Sequence, residues 1–471
     1  MPPIRARVLD TWDTVRSSYW FIPSLMAVAA AALALGLTRA DGLVGAGWVE
    51  AVSFLQDGTR PEGARAFLST VAGSMIGVAG VTFSITIASV VYATGQYGPR
   101  LLTNFMDDRG NQVTLGTFIA TFLYCLLVLR TVRSADEAGG VGEFVPHLAI
   151  LGALALTLAS IGVFIFFIHH VPESIHVSNL VAGVGRDLLD RTESLFPERI
   201  GEAGTTREAG RDPTAQTSMP DGFFDEARRV AADGAGYVRG VDAEALLDLA
   251  TAHDLVVRVR HRPGDFVAAG DALVLAWPPD RVTDEVAADV RASFAWGSQR
   301  TARQDTRFLV DELVEIAARA LSPGVNDPFT AVSCLDWLSA ALKSLAARDF
   351  PEPTRHDEGG ALRVVAQPTT FGEFVEDVYS QLRPYVVADR NATLHALTTI
   401  GEVAGRVADR SQREALREQA DALLQGATDS LTIDADRRDV RERHRDVSRL
   451  LAGHVGFEAL AAQTDVVGGT A

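Results

Sequence analysis

The side chains best suited to chemistry fall into two clusters. The first lies in the second half of the chain: Gln304-Asp305, and Asn326-Asp327 within Ser322-Pro323-Gly324-Val325-Asn326-Asp327-Pro328. If the fold joins its two parts, these amides and carboxylates can hold a cation or polarise a substrate. The competing and commoner use is structural, with Asp305 capping the helix that follows it and Ser322, Asn326 and Asp327 bracing a proline turn. The second cluster is a file of hydroxyls, Thr82, Thr86 and Ser89, in an uncharged run that leads into Gly95-Gln96-Tyr97-Gly98-Pro99-Arg100 and then to Asp107, Asp108 and Arg109. Hydroxyls leading to charges at a mouth are the material of ion selection by sign. Their plainer use is to bond back to the carbonyls of their own helix.

Composition removes several alternatives. The chain has a single lysine, Lys343, against 42 arginines, so a Walker-type Gly-Lys pair and a carrier lysine in a turn are both absent. No Gly-x-Ser-x-Gly elbow and no His-Glu-x-x-His pair occurs, and the chain reads as a non-enzyme with no cofactor. Residues 1–170 carry 10 basic and 11 acidic side chains, whereas residues 171–471 carry 33 and 49. A soluble part this acidic repels polyphosphate, so nucleic acid is not an expected partner. The two cysteines, Cys125 and Cys334, imply neither a disulfide framework nor a metal site.

The hydroxyl file needs a helix to carry it. From about Leu68 to Tyr92 no side chain is charged, which at helical rise is long enough to cross a hydrocarbon core. Gly73, Gly77, Gly80 and Ser84 recur on one face of that helix, where small residues let another helix approach closely. Further apolar runs from Tyr19 to about Leu37, from Val113 to Leu129 and from Pro146 to about Ile168 bring the expected spans to four. Seven arginines near the membrane on one side against five on the other favour both termini on the cytoplasmic side. His169, His170 and His176 gather beside Glu173 after the last span; they read as an interfacial helix end more readily than as metal ligands.

The expected domains are a four-helix membrane domain over 1–170, a connecting helix and linker over 171–221, a small β-rich module over 222–280 and a helical cytosolic domain over 281–471. Paired Gly-Asp turns at Gly264-Asp265 and Gly270-Asp271 suggest a hairpin-rich module shaped like a small barrel sandwich. Beyond it, Asp284–Arg303 reads as one helix, and residues 351–360 as a loop. The fold class is thus an integral membrane α-helical protein followed by a cytosolic α+β region.

Several separate motifs carry a resemblance over nearly the whole chain. They are Phe83-Ser84-Ile85-Thr86, Gln96-Tyr97-Gly98-Pro99-Arg100-Leu101-Leu102, Gly264-Asp265-Phe266-Val267, Arg303-Gln304-Asp305 and Ala320-Leu321-Ser322-Pro323-Gly324-Val325-Asn326-Asp327-Pro328-Phe329. In this order they resemble a bacterial family of predicted membrane proteins, domain-of-unknown-function family 2254, with Gly95 and Gly98 as small departures. The resemblance implies an inner-membrane protein with a cytosolic part, and implies no activity. The leading expectation is a homo-oligomeric channel or transporter for inorganic ions with a regulatory cytosolic domain, in contact with the lipid bilayer. The alternative is a membrane-anchored sensor or scaffold whose cytosolic domain binds a ligand or protein.

Overall fold

The structure is a computed structural model that describes residues 18–44, 60–98, 108–134, 144–196 and 219–453. These fall into two compact units, one ending at Asn179 and one beginning at Leu180.

The first unit is built from α1 (Phe21–Val44), α2 (Pro61–Tyr97), α3 (Arg109–Leu129) and α4 (His147–Ile175). All four are long and apolar enough to cross a bilayer. The helix that organises the unit is α3, which packs against each of the other three. Its buried face repeats at helical spacing through Asn111, Thr114, Phe118, Thr121, Cys125 and Val128. Helix α2 turns Leu68, Ala72, Met75, Ala79 and Val90 inward, and Thr82 and Thr86 lie on this same face at 2% exposure each.

Thr82 and Thr86 thus face the interior of the four-helix unit. Gly73, Gly77, Gly80 and Ser84 are exposed, and an added Cβ at any of the three glycines would meet nothing within 4 Å. The close helix contact expected of this stripe is therefore absent inside the described unit. Apolar Val81, Phe83, Ile85 and Ile87 share the outward side, as lipid-facing residues do.

Polar side chains lock the bundle where backbone groups would otherwise be orphaned. Asp41, near the end of α1, accepts from Leu148 N at 2.8 Å and Ala149 N at 3.0 Å, so a residue 107 positions away caps α4. Free N–H groups at a helix start favour an anion there. The Tyr124 hydroxyl donates to Ala149 O at 2.8 Å, and Thr121 on α3 meets Ser160 on α4 at 2.9 Å.

The second unit takes up α5 (Val177–Leu195), whose Gly185 lies under the Trp337 ring. Next come α6 (Phe223–Glu226), β1 (Arg228–Ala231), β2 (Gly236–Val241), α7 (Ala243–Ala252), β3 (Val256–Val259), β4 (Phe266–Val267), β5 (Ala272–Trp277), α8 (Asp284–Ala292) and β6 (Phe294–Gly297). Helices α9 (Thr306–Ala320) and α10 (Pro328–Ala346) precede β7 (Thr354–His356) and β8 (Leu362–Val365). Helices α11 (Phe371–Val386), α12 (Arg390–Ala404), α13 (Arg410–Ser430) and α14 (Asp434–Leu451) complete the described chain.

The strands form a five-stranded sheet, β1-β5-β3-β8-β7, and a three-stranded sheet, β4-β2-β6. No closed barrel is present among the described residues, so the barrel-sandwich expectation is corrected to two open sheets. The expected helix over 284–303 stops at Ala292, and β6 follows to pair with β2. The expected loop over 351–360 contains β7, and β8 runs parallel to β3, so the larger sheet recruits a hairpin from beyond α10. Strands of three or four residues are too short for alternation to reveal them, and tertiary pairing is what makes them strands.

Candidate functional site

Among the described residues, one place in the membrane unit joins ionisable and polar side chains from distant parts of the chain. Asp108 is the N-cap of α3, and its Oδ1 accepts from Gly110 N at 2.7 Å. Its Oδ2 lies 2.7 Å from His170 Nε2, 62 residues away on α4, and accepts from Asn111 Nδ2 at 3.2 Å. The His170 ring also stacks on Phe166, with centroids 4.8 Å apart. Gly110 makes room for that ring, since a Cβ there would fall 2.6 Å from His170 Nε2. Tyr19, just before α1, hydrogen-bonds Thr86 on α2 and lies close enough to feel the charge of Asp108.

Exposure across this node is graded. The His170 and Asp108 side chains are 27% and 21% exposed, while Asn111 is at 2%. Asn111 Oδ1 is buried with no hydrogen-bond partner among the described residues. Such an acceptor costs about 1–3 kcal/mol while it has no donor. Deeper in the bundle the polar groups continue along α3, where Thr114 donates to Gly110 O at 2.8 Å and Thr117 to Val113 O at 2.8 Å. The Thr121–Ser160 pair follows, then Tyr124.

The predicted residues divide accordingly. Thr86 and Asp108 come together around Tyr19. Thr82 is buried and donates to Ala79 O at 2.9 Å, and Ser89 is half-buried. Gln96 lies in the last turn of α2, which ends at Gly98 with φ +123; the Gln96 side chain, Arg100 and Asp107 lie outside the described residues. His170 pairs with Asp108, and His169 with Glu173 at 3.3 Å. Among the described residues no group of three potential metal ligands forms. Asp41, Asn111 and Tyr19 escaped the sequence reading. Asp41 alone carried a signal, as an acid at the edge of an apolar run.

The cluster in the second unit does not converge into one site by its own bonds. Gln304 braces β2, accepting from Val241 N at 2.9 Å and donating to Val241 O at 3.3 Å. Asp305 caps α9 through Phe308 N at 3.2 Å, accepts from Arg300 Nε at 2.8 Å, and packs against Gly264 of the Gly-Asp turn. Burial raises the Asp305 carboxyl above its ordinary range, against the pull of Arg300. Asp327 caps α10, accepting from Thr330 N at 3.2 Å and the Thr330 hydroxyl at 2.6 Å. The Ser322 hydroxyl donates to Arg319 O at 2.6 Å, and Asn326 holds the turn with φ +51. These are supporting roles, and Asp327→Ala should cost about 1–2 kcal/mol through loss of the cap. Urea denaturation of the full chain in detergent checks this; an unchanged midpoint would remove the cap from the account.

A family model described as Predicted membrane protein (DUF2254) matches residues 16–402. Two uncharacterized mycobacterial proteins, Mb1321c of Mycobacterium bovis and Rv1290c of Mycobacterium tuberculosis, are each 30% identical over 438 residues, which is 90% of this chain and 79% of the relative. No solved structure matches the chain.

Proposed function

This chain belongs to the DUF2254 family of predicted membrane proteins, and on that premise we propose that it is an ion channel or transporter with a regulatory cytosolic domain. The observation that supports this reading is the polar file inside the bundle, from the Asp108–His170–Asn111 node past Thr114 and the Thr121–Ser160 pair. Bilayer helices that serve only as anchors have no need of ionisable and amide side chains turned inward, and groups of this kind mark ion and proton pathways. In this reading the path runs through one bundle. The outward stripe of Gly73, Gly77, Gly80 and Ser84 is then left for a helix of a second copy, giving a homo-oligomer of parallel paths in the inner membrane, with both termini cytoplasmic.

Full-length protein in liposomes, with separate potassium, chloride and pH indicators, tests the reading. Wild-type protein should move at least one of these ions faster than protein-free vesicles. Thr121→Leu should cut that flux at least tenfold, because it replaces a hydroxyl of the file with an apolar group that sheds water. A wild type that moves none of the three under any gradient or voltage would overturn the proposal.

A further inference from the structure

Resting on the transport reading, we propose that the ion handled at the Asp108 node is the proton, taken up by His170, stored on Asp108 and admitted toward the bundle interior beside Asn111. The donor set argues for a proton and against a metal cation. Asp108 Oδ1 is engaged by Gly110 N, and Oδ2 faces both His170 Nε2 and Asn111 Nδ2. A hard cation needs about six oxygen ligands and would have to displace these donors; a proton needs one lone pair and a second acceptor to move to. An anion would meet the Asp108 carboxylate.

The transfer balances within the pair. Water delivers a proton to His170 Nδ1, and the proton on Nε2 passes to Asp108 Oδ2 across the hydrogen bond whose heavy atoms lie 2.7 Å apart. The imidazole is left neutral as the other tautomer, the carboxylate becomes a neutral carboxyl, and water has lost one proton. Neutral Asp108 no longer requires the Asn111 amide N–H. Rotation of that amide by half a turn brings Oδ1 round to accept the new carboxyl proton, so the two ends of the amide suit the two protonation states. The decrease in exposure from His170 to Asn111 sets the direction from the surface of the bundle inward.

The surroundings leave this pair to carry the proton. Tyr19 presents a phenol hydrogen-bonded to Thr86. On α3 the neighbouring Arg109 is exposed, and on α4 the His169–Glu173 pair is 79% and 59% exposed. The charged residues of described α1 and α2 are Arg39, Asp41, Glu62 and Arg65. Asp41 and Arg65 bond to Leu148 and Val132, at the opposite end of the bundle.

The test uses full-length protein in liposomes holding a pH-sensitive dye, with a potassium diffusion potential as the driving force. Proton flux should exceed that of protein-free vesicles at least tenfold. Asp108→Asn keeps the helix cap but cannot ionise, His170→Gln keeps a donor but cannot titrate, and both should fall to background. Alkylation of buried Cys125 should stay as slow as in wild type, reporting an intact bundle. Gly110→Ala, which pushes the His170 ring away, should also lose flux. Potassium or chloride movement without proton movement overturns the proton assignment and leaves transport standing. Proton flux that survives Asp108→Asn and His170→Gln also overturns it. If no ion moves, the transport reading itself fails.

Discussion

Asp41→Ala should loosen the membrane unit more than any other single change outside its apolar core. The substitution removes the acceptor for Leu148 N and Ala149 N at the start of α4. Each N–H left without a partner away from water costs about 1–3 kcal/mol, and the lost carboxylate also removes a favourable charge from the helix N-terminus. The expected destabilisation is about 2–4 kcal/mol. The molecule carries its own reporters, since its two cysteines are both buried at 0% exposure, Cys125 in the membrane unit and Cys334 in the second unit. Maleimide labelling resolved by peptide mass therefore reads the opening of each unit separately. Because 1.4 kcal/mol is about tenfold in an equilibrium, Cys125 labelling should accelerate about 30-fold or more while Cys334 labelling stays unchanged. Equal labelling of wild type and variant would show that the Asp41 bonds contribute little.

Gly264→Val should do the reverse, exposing Cys334 and sparing Cys125. Gly264 sits at φ +98, a backbone region that a β-branched residue adopts only under strain. A Cβ there would also collide with the Asp305 carboxylate. That carboxylate cannot easily yield, because its side chain is only 3% exposed and is pinned by Arg300 and Phe308 N. Displacing it leaves Arg300 to its second partner, Asp311, and unties the start of α9; the strained backbone and the lost cap together cost about 3 kcal/mol. Labelling of Cys334 should rise at least a hundredfold, with the urea midpoint of the second unit falling in step. Gly264→Ala should lie between wild type and valine. A valine variant within 1 kcal/mol of wild type would mean that the turn relaxes away from Asp305.

The contrast between the units shows what the linear chain specified. Four spans were legible because charge is excluded from about twenty consecutive residues by the cost of placing it in hydrocarbon, and that cost acts locally. Helices α9 to α14 were legible because an amphipathic face against water repeats every three to four residues, and caps such as Asp305 and Asp327 announce their starts. The inward face of α2 was not legible. Lipid is as apolar as a bundle core, so hydropathy cannot choose between the glycine side and the threonine side, and only contact with α3 turned Thr82 and Thr86 inward. Pairings across long stretches of chain were equally hidden: Asp108 with His170, Asp41 with the start of α4, and β8 with β3. Sequence alone thus determined which segments are apolar enough for a membrane and most of the long helices, since those properties are set within a few turns, while the 294–297 part of the expected 284–303 helix became a strand through its pairing with β2. The tertiary structure decided which polar groups meet, because a hydrogen bond of 2.7 Å between residues 62 positions apart depends on how whole helices pack and on no local preference of either residue.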